Sequence, residues 1–214
     1  MASKKTKQTF TPDWTLESQL WQCGYSPVAG IDEAGRGALA GPVVAAAVIL
    51  PVGDYAFRDS KTLSSGSRAS LADEVKSCAL AWGIGLARAQ EVDKLNVLRA
   101  THLAAKRALK SLTLSPSALV TDYLWLNVPY PVLAVAKGDS RSLQIAAASI
   151  LAKTHRDALM RRYAEDYPAY GFENNKGYGA PVHLDGLDQH GPCDIHRRSF
   201  RPVAQRRLFG AGVD

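Results

Sequence analysis

Gly30-Ile31-Asp32-Glu33-Ala34-Gly35-Arg36-Gly37 sets two acids between an apolar run and a glycine-arginine-glycine turn. Val28 to Ile31 reads as a buried strand, so Asp32 and Glu33 are expected where that strand leaves the core. Adjacent carboxylates in such a place lose hydration and repel each other, and a cation between them relieves both penalties. A solvated turn or a helix cap fits the same pair, so the stretch alone leaves both readings open. Its glycine spacing also approaches a P-loop. However, Arg36 and Gly37 stand where that loop needs lysine and a hydroxyl, and the two acids would face the phosphates. Gly35 to Ala40 matches a Rossmann turn, G-x-G-x-x-A, but that turn must open a helix. Here Gly41-Pro42 leads into a second apolar run, Val43 to Leu50. The order strand, turn, strand predicts a hairpin.

Working outward, a helix is predicted over 66–77 and a third strand over 79–87, where Gly83 and Gly85 signal a bulge or a close approach. A long helix over 91–111 would bury a stripe of Leu95, Leu98, Ala105, Leu109 and Leu112, with His102 as a core histidine on it. Strands at 117–122 and 132–136, a small-residue-rich helix over 142–166 and a short helix over 180–189 complete the pattern. Alternating strands and helices place the chain in the α/β class, and the early hairpin makes its sheet mixed. Residues 1–27 and 204–214 read as tails around one domain at 28–203, whose substrate-binding part begins at about 167.

The 214 residues, 46% hydrophobic, suffice for one globular core. A net charge of +6 points toward a polyanionic partner. Three scattered cysteines without a CxxC pair argue against a disulfide framework or a zinc site and for a reducing cytoplasm. Neither a secretory signal nor a stretch long enough to cross a membrane is evident. Basic residues crowd the C-terminal third: Lys153, Arg156, Arg161, Arg162, Lys176, Arg197, Arg198, Arg201, Arg206 and Arg207. Interleaved with Tyr178 and Phe200, they read either as a nucleic-acid groove with stacking platforms or as a solvated basic face.

Asp122 closes the fourth strand and Asp139 follows the fifth. In open α/β sheets, residues beyond such strand ends converge on a crevice. Asp32, Glu33, Asp122 and Asp139 together would form an all-oxygen site suited to Mg²⁺ or Mn²⁺. Two such ions roughly 3.5–4 Å apart support in-line phosphodiester hydrolysis without a side-chain nucleophile.

The ordered set Gly30 to Gly37, Asp59-Ser60-Lys61-Thr62-Leu63, Lys137-Gly138-Asp139, Ala146 to Lys153, Arg156-Asp157, Lys176-Gly177-Tyr178 and His196-Arg197-Arg198-Ser199-Phe200 resembles type 2 ribonuclease H, ribonuclease HII in bacteria. The resemblance runs from about residue 28 to 203. It implies a ribonuclease H-like fold, a mixed five-stranded sheet flanked by helices, with a C-terminal helical segment. The implied enzyme is a monomeric endonuclease that cuts RNA in RNA–DNA hybrids and at ribonucleotides embedded in duplex DNA, leaving 3′-hydroxyl and 5′-phosphate ends. Such an activity would serve ribonucleotide excision in DNA replication and repair. On the same resemblance Asp32, Glu33, Asp122 and Asp139 are the metal-binding catalytic acids. Gly35, Arg36 and Gly37 contact the ribose 2′-hydroxyl and the adjacent phosphate, Tyr178 packs on the following nucleotide, and Lys61 lies near the substrate backbone. Tyr178 also fits a buried residue fixing a turn, and Lys61 a cap on its own loop. The third acid of the family is usually followed by glycine, whereas this chain has Asp122-Tyr123. The related type 3 enzymes carry an added N-terminal domain, for which roughly 27 residues before the first strand are too few.

Overall fold

The structure, a computed structural model, describes residues 11–57 and 65–209; Lys61 and its motif lie outside the described residues. Strands β1 (Val28–Ala34), β2 (Val43–Ile49), β3 (Ala81–Ala87), β4 (Ala118–Asp122) and β5 (Val132–Val135) form one sheet in the order β3-β2-β1-β4-β5. The β1/β2 and β2/β3 pairs are antiparallel, and β1/β4 and β4/β5 are parallel. The predicted mixed α/β sheet is what the chain builds. The alternation in β2 explains its continuous apolar run: Val43, Ala45, Ala47 and Ile49 belong to the core on one face of the sheet, and Ala46 and Val48 to the core on the other. A strand covered on both sides has no polar face to show.

Helix α5 (Leu143–Asp166) and helix α2 (Ser65–Cys78) cover one face. Helices α3 (Ala89–Leu95) and α4 (Val97–Lys110) cover the other. Both covers lie unusually close. A Cβ on Gly30 of β1 would sit 2.2 Å from the Gln144 carbonyl carbon, and one on Gly85 of β3 would sit 2.1 Å from the Ala104 carbonyl oxygen. The small residues of α5 and α4 are the counterpart of those glycines. Gly83 and Gly85 thus mark a close approach, not a bulge.

The single helix expected over 91–111 is two helices. Asn96 between them has φ +69°, which interrupts the spiral, and its side chain accepts a hydrogen bond from the Arg99 amide to cap α4. The buried stripe is also different: Ala100, Thr101, Ala104, Ala105 and Ala108 face the sheet, while Leu98 is half exposed and His102 only partly buried. The glycines of β3 leave α4 so close that alanine fits where leucine would not. Helix α1 (Thr15–Gln22), within the stretch expected to be a tail, docks through Leu16 onto Val28, Ala118 and Ile145. Its buried Glu17 accepts a hydrogen bond from Ser142, the N-cap of α5.

The C-terminal part contributes α6 (Phe172–Asn175), α7 (Pro181–His190) and α8 (Arg201–Phe209). These gather around Leu39, Ala40, Met160, Tyr170, Phe172, Leu187 and Val203, a third core that fastens this segment beside the β1–β2 turn.

Candidate active site

β1 runs past Ile31 to Ala34 and pairs with β2 as far as Ala34 opposite Val44. Asp32 and Glu33 therefore lie inside a strand on its antiparallel side. On its parallel side the pairing with β4 stops at Ile31 opposite Thr121, and the next step of that register sets Asp32 beside Asp122. Asp32, Glu33 and Asp122 line an open cleft of about 430 Å³, together with Gly35, Arg36, Gly37, Ser149, Lys153 and Tyr178. Asp139 is not among these lining residues. It is buried in a 3₁₀ turn, Gly138–Ser140, directly after β5. That turn is tied to the site because Asp122 Oδ1 accepts a hydrogen bond from the Gly138 amide at 3.0 Å.

The Asp32 carboxyl is pushed well above the usual carboxylate range. Burial is the main cause, followed by the charge of Glu33 and, more weakly, of Asp122; hydrogen bonds from the Ser149 hydroxyl and the Glu33 amide work against it. Like charges gathered out of water ask for a proton or a cation. Among the described residues, no three His, Cys, Asp or Glu side chains are drawn tightly enough to hold a metal ion as they stand. The donor set, all carboxylate oxygen with Asp139 on the adjoining turn, nevertheless fits a hard divalent cation. Arg36, whose side chain is 45% exposed, pairs with Glu33 at 3.0 Å.

Two arginines first read as groove charges prove to be buried. Arg197 donates to the carbonyls of Gly35 (2.7 Å), Arg36 (2.8 Å) and Gly41 (3.0 and 3.1 Å). Arg156 donates to those of Pro42, Lys176 and Ala40 at 2.9–3.1 Å. A trans peptide points its C=O and the following N–H in opposite directions. Drawing the Gly35 and Arg36 carbonyls toward Arg197 therefore turns the amides of Arg36 and Gly37 away from it. Gly35 has φ +91°, and a Cβ there would lie 2.0 Å from Arg156 Nε, so no other residue fits. A Cβ on Gly37 would lie 4.0 Å from the Tyr178 ring, within the space between turn and ring.

Tyr178 is 40% exposed, with the Arg156 guanidinium 5.4 Å from its ring centre. The reading of Tyr178 as a buried tyrosine does not hold. Its carbonyl is held from behind by a chain whose tautomers follow from its ends. The Cys193 amide donates to His196 Nδ1 at 2.9 Å, so neutral His196 carries its proton on Nε2. That N–H faces His183 Nε2 at 2.9 Å, which leaves His183 Nδ1–H to donate to the Tyr178 carbonyl at 2.9 Å. Burial and the neighbouring His183 hold His196 down at about 4. Phe200, expected as a second stacking platform, is instead partly buried in the core under Arg197.

Of the expected site residues, Asp32, Glu33, Asp122, Gly35, Arg36, Gly37 and Tyr178 come together in one cleft, Asp139 lies on the adjoining turn, and Lys61 lies outside the described residues. Sequence reasoning missed Arg156 and Arg197 as carbonyl clamps, gave His196 no role beyond its place in a motif, and did not single out His183. The family model for ribonuclease HII matches residues 29–203. A curated ribonuclease HII from Thermus thermophilus is 55% identical over 193 residues, 90% of this chain and 95% of its own.

The chain belongs to the ribonuclease HII family.

It is accordingly an endoribonuclease. Similar folds include ribonuclease H2 from Pyrococcus horikoshii (TM-score 0.74, 24% identity, 86% of this chain and 99% of that one). Bst-RNase HIII in complex with Mn²⁺ is more distant (TM-score 0.64, 14% identity, 86% and 70%). At these identities the two structures speak for the fold alone. The ribonuclease HII fold explains why the acids meet: β1 and β4 are parallel neighbours, so residues at matching heights on the two strands share one opening.

Proposed function

We propose that this ribonuclease HII cleaves the RNA strand of RNA–DNA hybrids and also incises at ribonucleotides embedded in duplex DNA, giving 3′-hydroxyl and 5′-phosphate ends. The observation that carries the reading is the cleft in which Asp32, Glu33 and Asp122 face the clamped Gly35-Arg36-Gly37 turn. Asp32, Glu33, Asp122 and Asp139 would hold Mg²⁺ or Mn²⁺. When bound, a pair of such ions supplies activation of water and stabilisation of the charge that builds on the departing oxygen.

The chain's own residues bind and orient. Amides of Arg36 and Gly37, turned away from Arg197, suit a ribose 2′-hydroxyl, the group that distinguishes RNA from DNA. Arg36, exposed and paired with Glu33, would offer its guanidinium to a phosphate oxygen of the substrate. Tyr178, half out of the surface and fixed at its carbonyl, packs on the next nucleotide. The net charge of +6 favours the polyanion throughout. A monomer in the cytoplasm, removing ribonucleotides during DNA replication and repair, fits this chemistry. Lys61 would lie near the substrate backbone.

Incubation with Mg²⁺ and matched duplexes holding one, four or no ribonucleotides tests the reading. Cuts only at ribonucleotide-containing sites are expected; binding without cleavage would mark a nucleic-acid-binding module instead.

A further inference from the structure

The loop that follows Asp122 presents two large aromatic rings to solvent beside the cleft. Tyr123 is 70% exposed and Trp125 65%, while the alternate residues Leu124 and Leu126 are buried in the core on the α4 side of the sheet. That alternation leaves the loop no freedom to tuck the rings away: turning Trp125 inward would pull both leucines out. The backbone is fixed as well. The Tyr123 amide donates to the Thr121 and Val135 carbonyls, and the Thr121 hydroxyl donates to the Leu124 carbonyl at 2.8 Å.

Tyr123 has φ +53°, in the left-handed region that glycine enters without penalty and a tyrosine does not. An exposed ring recovers little of that penalty by packing within the protein. Strain held at an exposed position next to a functional acid is the kind of outlier from which a binding role is argued. Each ring also offers a flat apolar face and one donor, the Tyr123 hydroxyl or the Trp125 indole N–H. A sugar–phosphate strand presents the complement, sugar faces flanked by phosphate oxygens, and hydroxyl-bearing side chains commonly reach such phosphates.

We propose that Tyr123 and Trp125 form a second nucleic-acid contact, a sequence-neutral platform that holds the duplex backbone next to the Asp32–Asp122 cleft. This rests on the nuclease reading above and adds a contact to it. Because Asp122 ends β4 and lines the cleft, and Tyr123 follows it directly, the loop is the next stretch of chain that a duplex seated at the acids would meet.

The test compares wild type with Tyr123→Gly, Trp125→Ala and the double variant. It measures affinity for a short duplex with one ribonucleotide in EDTA, KM and kcat with Mg²⁺, and the thermal midpoint. Each single change is expected to weaken binding about tenfold, with KM rising more than kcat falls. Tyr123→Gly is expected to keep or raise the thermal midpoint, because glycine suits the left-handed backbone. Affinity and midpoint then move in opposite directions, which a merely structural tyrosine would not produce. Unchanged affinity in the two single variants and the double variant overturns the proposal. So does a midpoint that falls in step with affinity. If wild type cleaves while the variants bind normally, only this inference fails; if wild type neither binds nor cleaves, the nuclease reading fails with it.

Discussion

Replacing Arg197 with lysine puts the clamp on the Gly35-Arg36-Gly37 turn to a quantitative test. The guanidinium makes four hydrogen bonds of 2.7–3.1 Å to three backbone carbonyls and is fully buried. Burial, reinforced by the charge of Arg156, lowers it to about 9, so it remains cationic at neutral pH. An ammonium on a lysine stem reaches one of those carbonyls, and because the Gly35 carbonyl keeps the Ala38 amide at 3.3 Å, one or two are left without a donor. At about 2 kcal/mol for each orphaned buried acceptor, the middle of the usual range, Arg197→Lys should lose roughly 2–4 kcal/mol. That is a large share of a domain's usual ~5–15 kcal/mol. Urea denaturation without metal should show a lower midpoint at unchanged slope. Cleavage of a single-ribonucleotide duplex, assayed well below the shifted transition, should fall at least about tenfold, because the amides of Arg36 and Gly37 lose their aim. A variant with wild-type stability and wild-type cleavage would refute the clamp. Arg36→Ala is the control: an exposed side chain whose loss should impair cleavage and leave stability alone.

Asp32→Asn should abolish cleavage and, in EDTA, raise the thermal midpoint, since it removes a buried charge facing Glu33 and Asp122; retained turnover or a lower midpoint contradicts this. His196 titrates at about 4 in the fold and near 6.5 unfolded, so the unfolded chain takes the proton first as pH falls. The stability it contributes is intact above pH 6.5 and is lost toward pH 4, of order 3 kcal/mol in all. His196→Gln should flatten that acid slope, and an unaltered slope would place the titration elsewhere. Gly85→Ala drives a Cβ into the backbone of α4 at Ala104 and Ala108 and should cost about 2–3 kcal/mol by thermal melts; an unshifted transition would mean the helix can retreat freely.

Much of the site could be read along the chain because its parts are local. The acid pair after an apolar run, the glycines that a tight turn demands, and carboxylates at strand ends all have signatures within a few residues. The strand-helix alternation, likewise local, was enough for a mixed α/β sheet. What misled was burial. Arg156 and Arg197 have the composition of a groove, yet both lie under the turn they hold, because the C-terminal segment folds back over Leu39 to Gly41. The stripe on α4 followed leucine periodicity, but the close glycines of β3 selected alanines instead.

The amino-acid order alone determined which chemistry is possible: oxygen ligands for a hard cation, a turn only glycine can make, and a cationic chain for a polyanion. Tertiary structure alone decided which side chains meet. It set Asp32 beside Asp122 through parallel pairing, left Asp139 on an adjoining turn, and ran a histidine chain from Cys193 to Tyr178. The physical reason is range. Backbone conformation responds to neighbours a few residues away, whereas burial and the pairing of charges depend on which distant element comes to cover them.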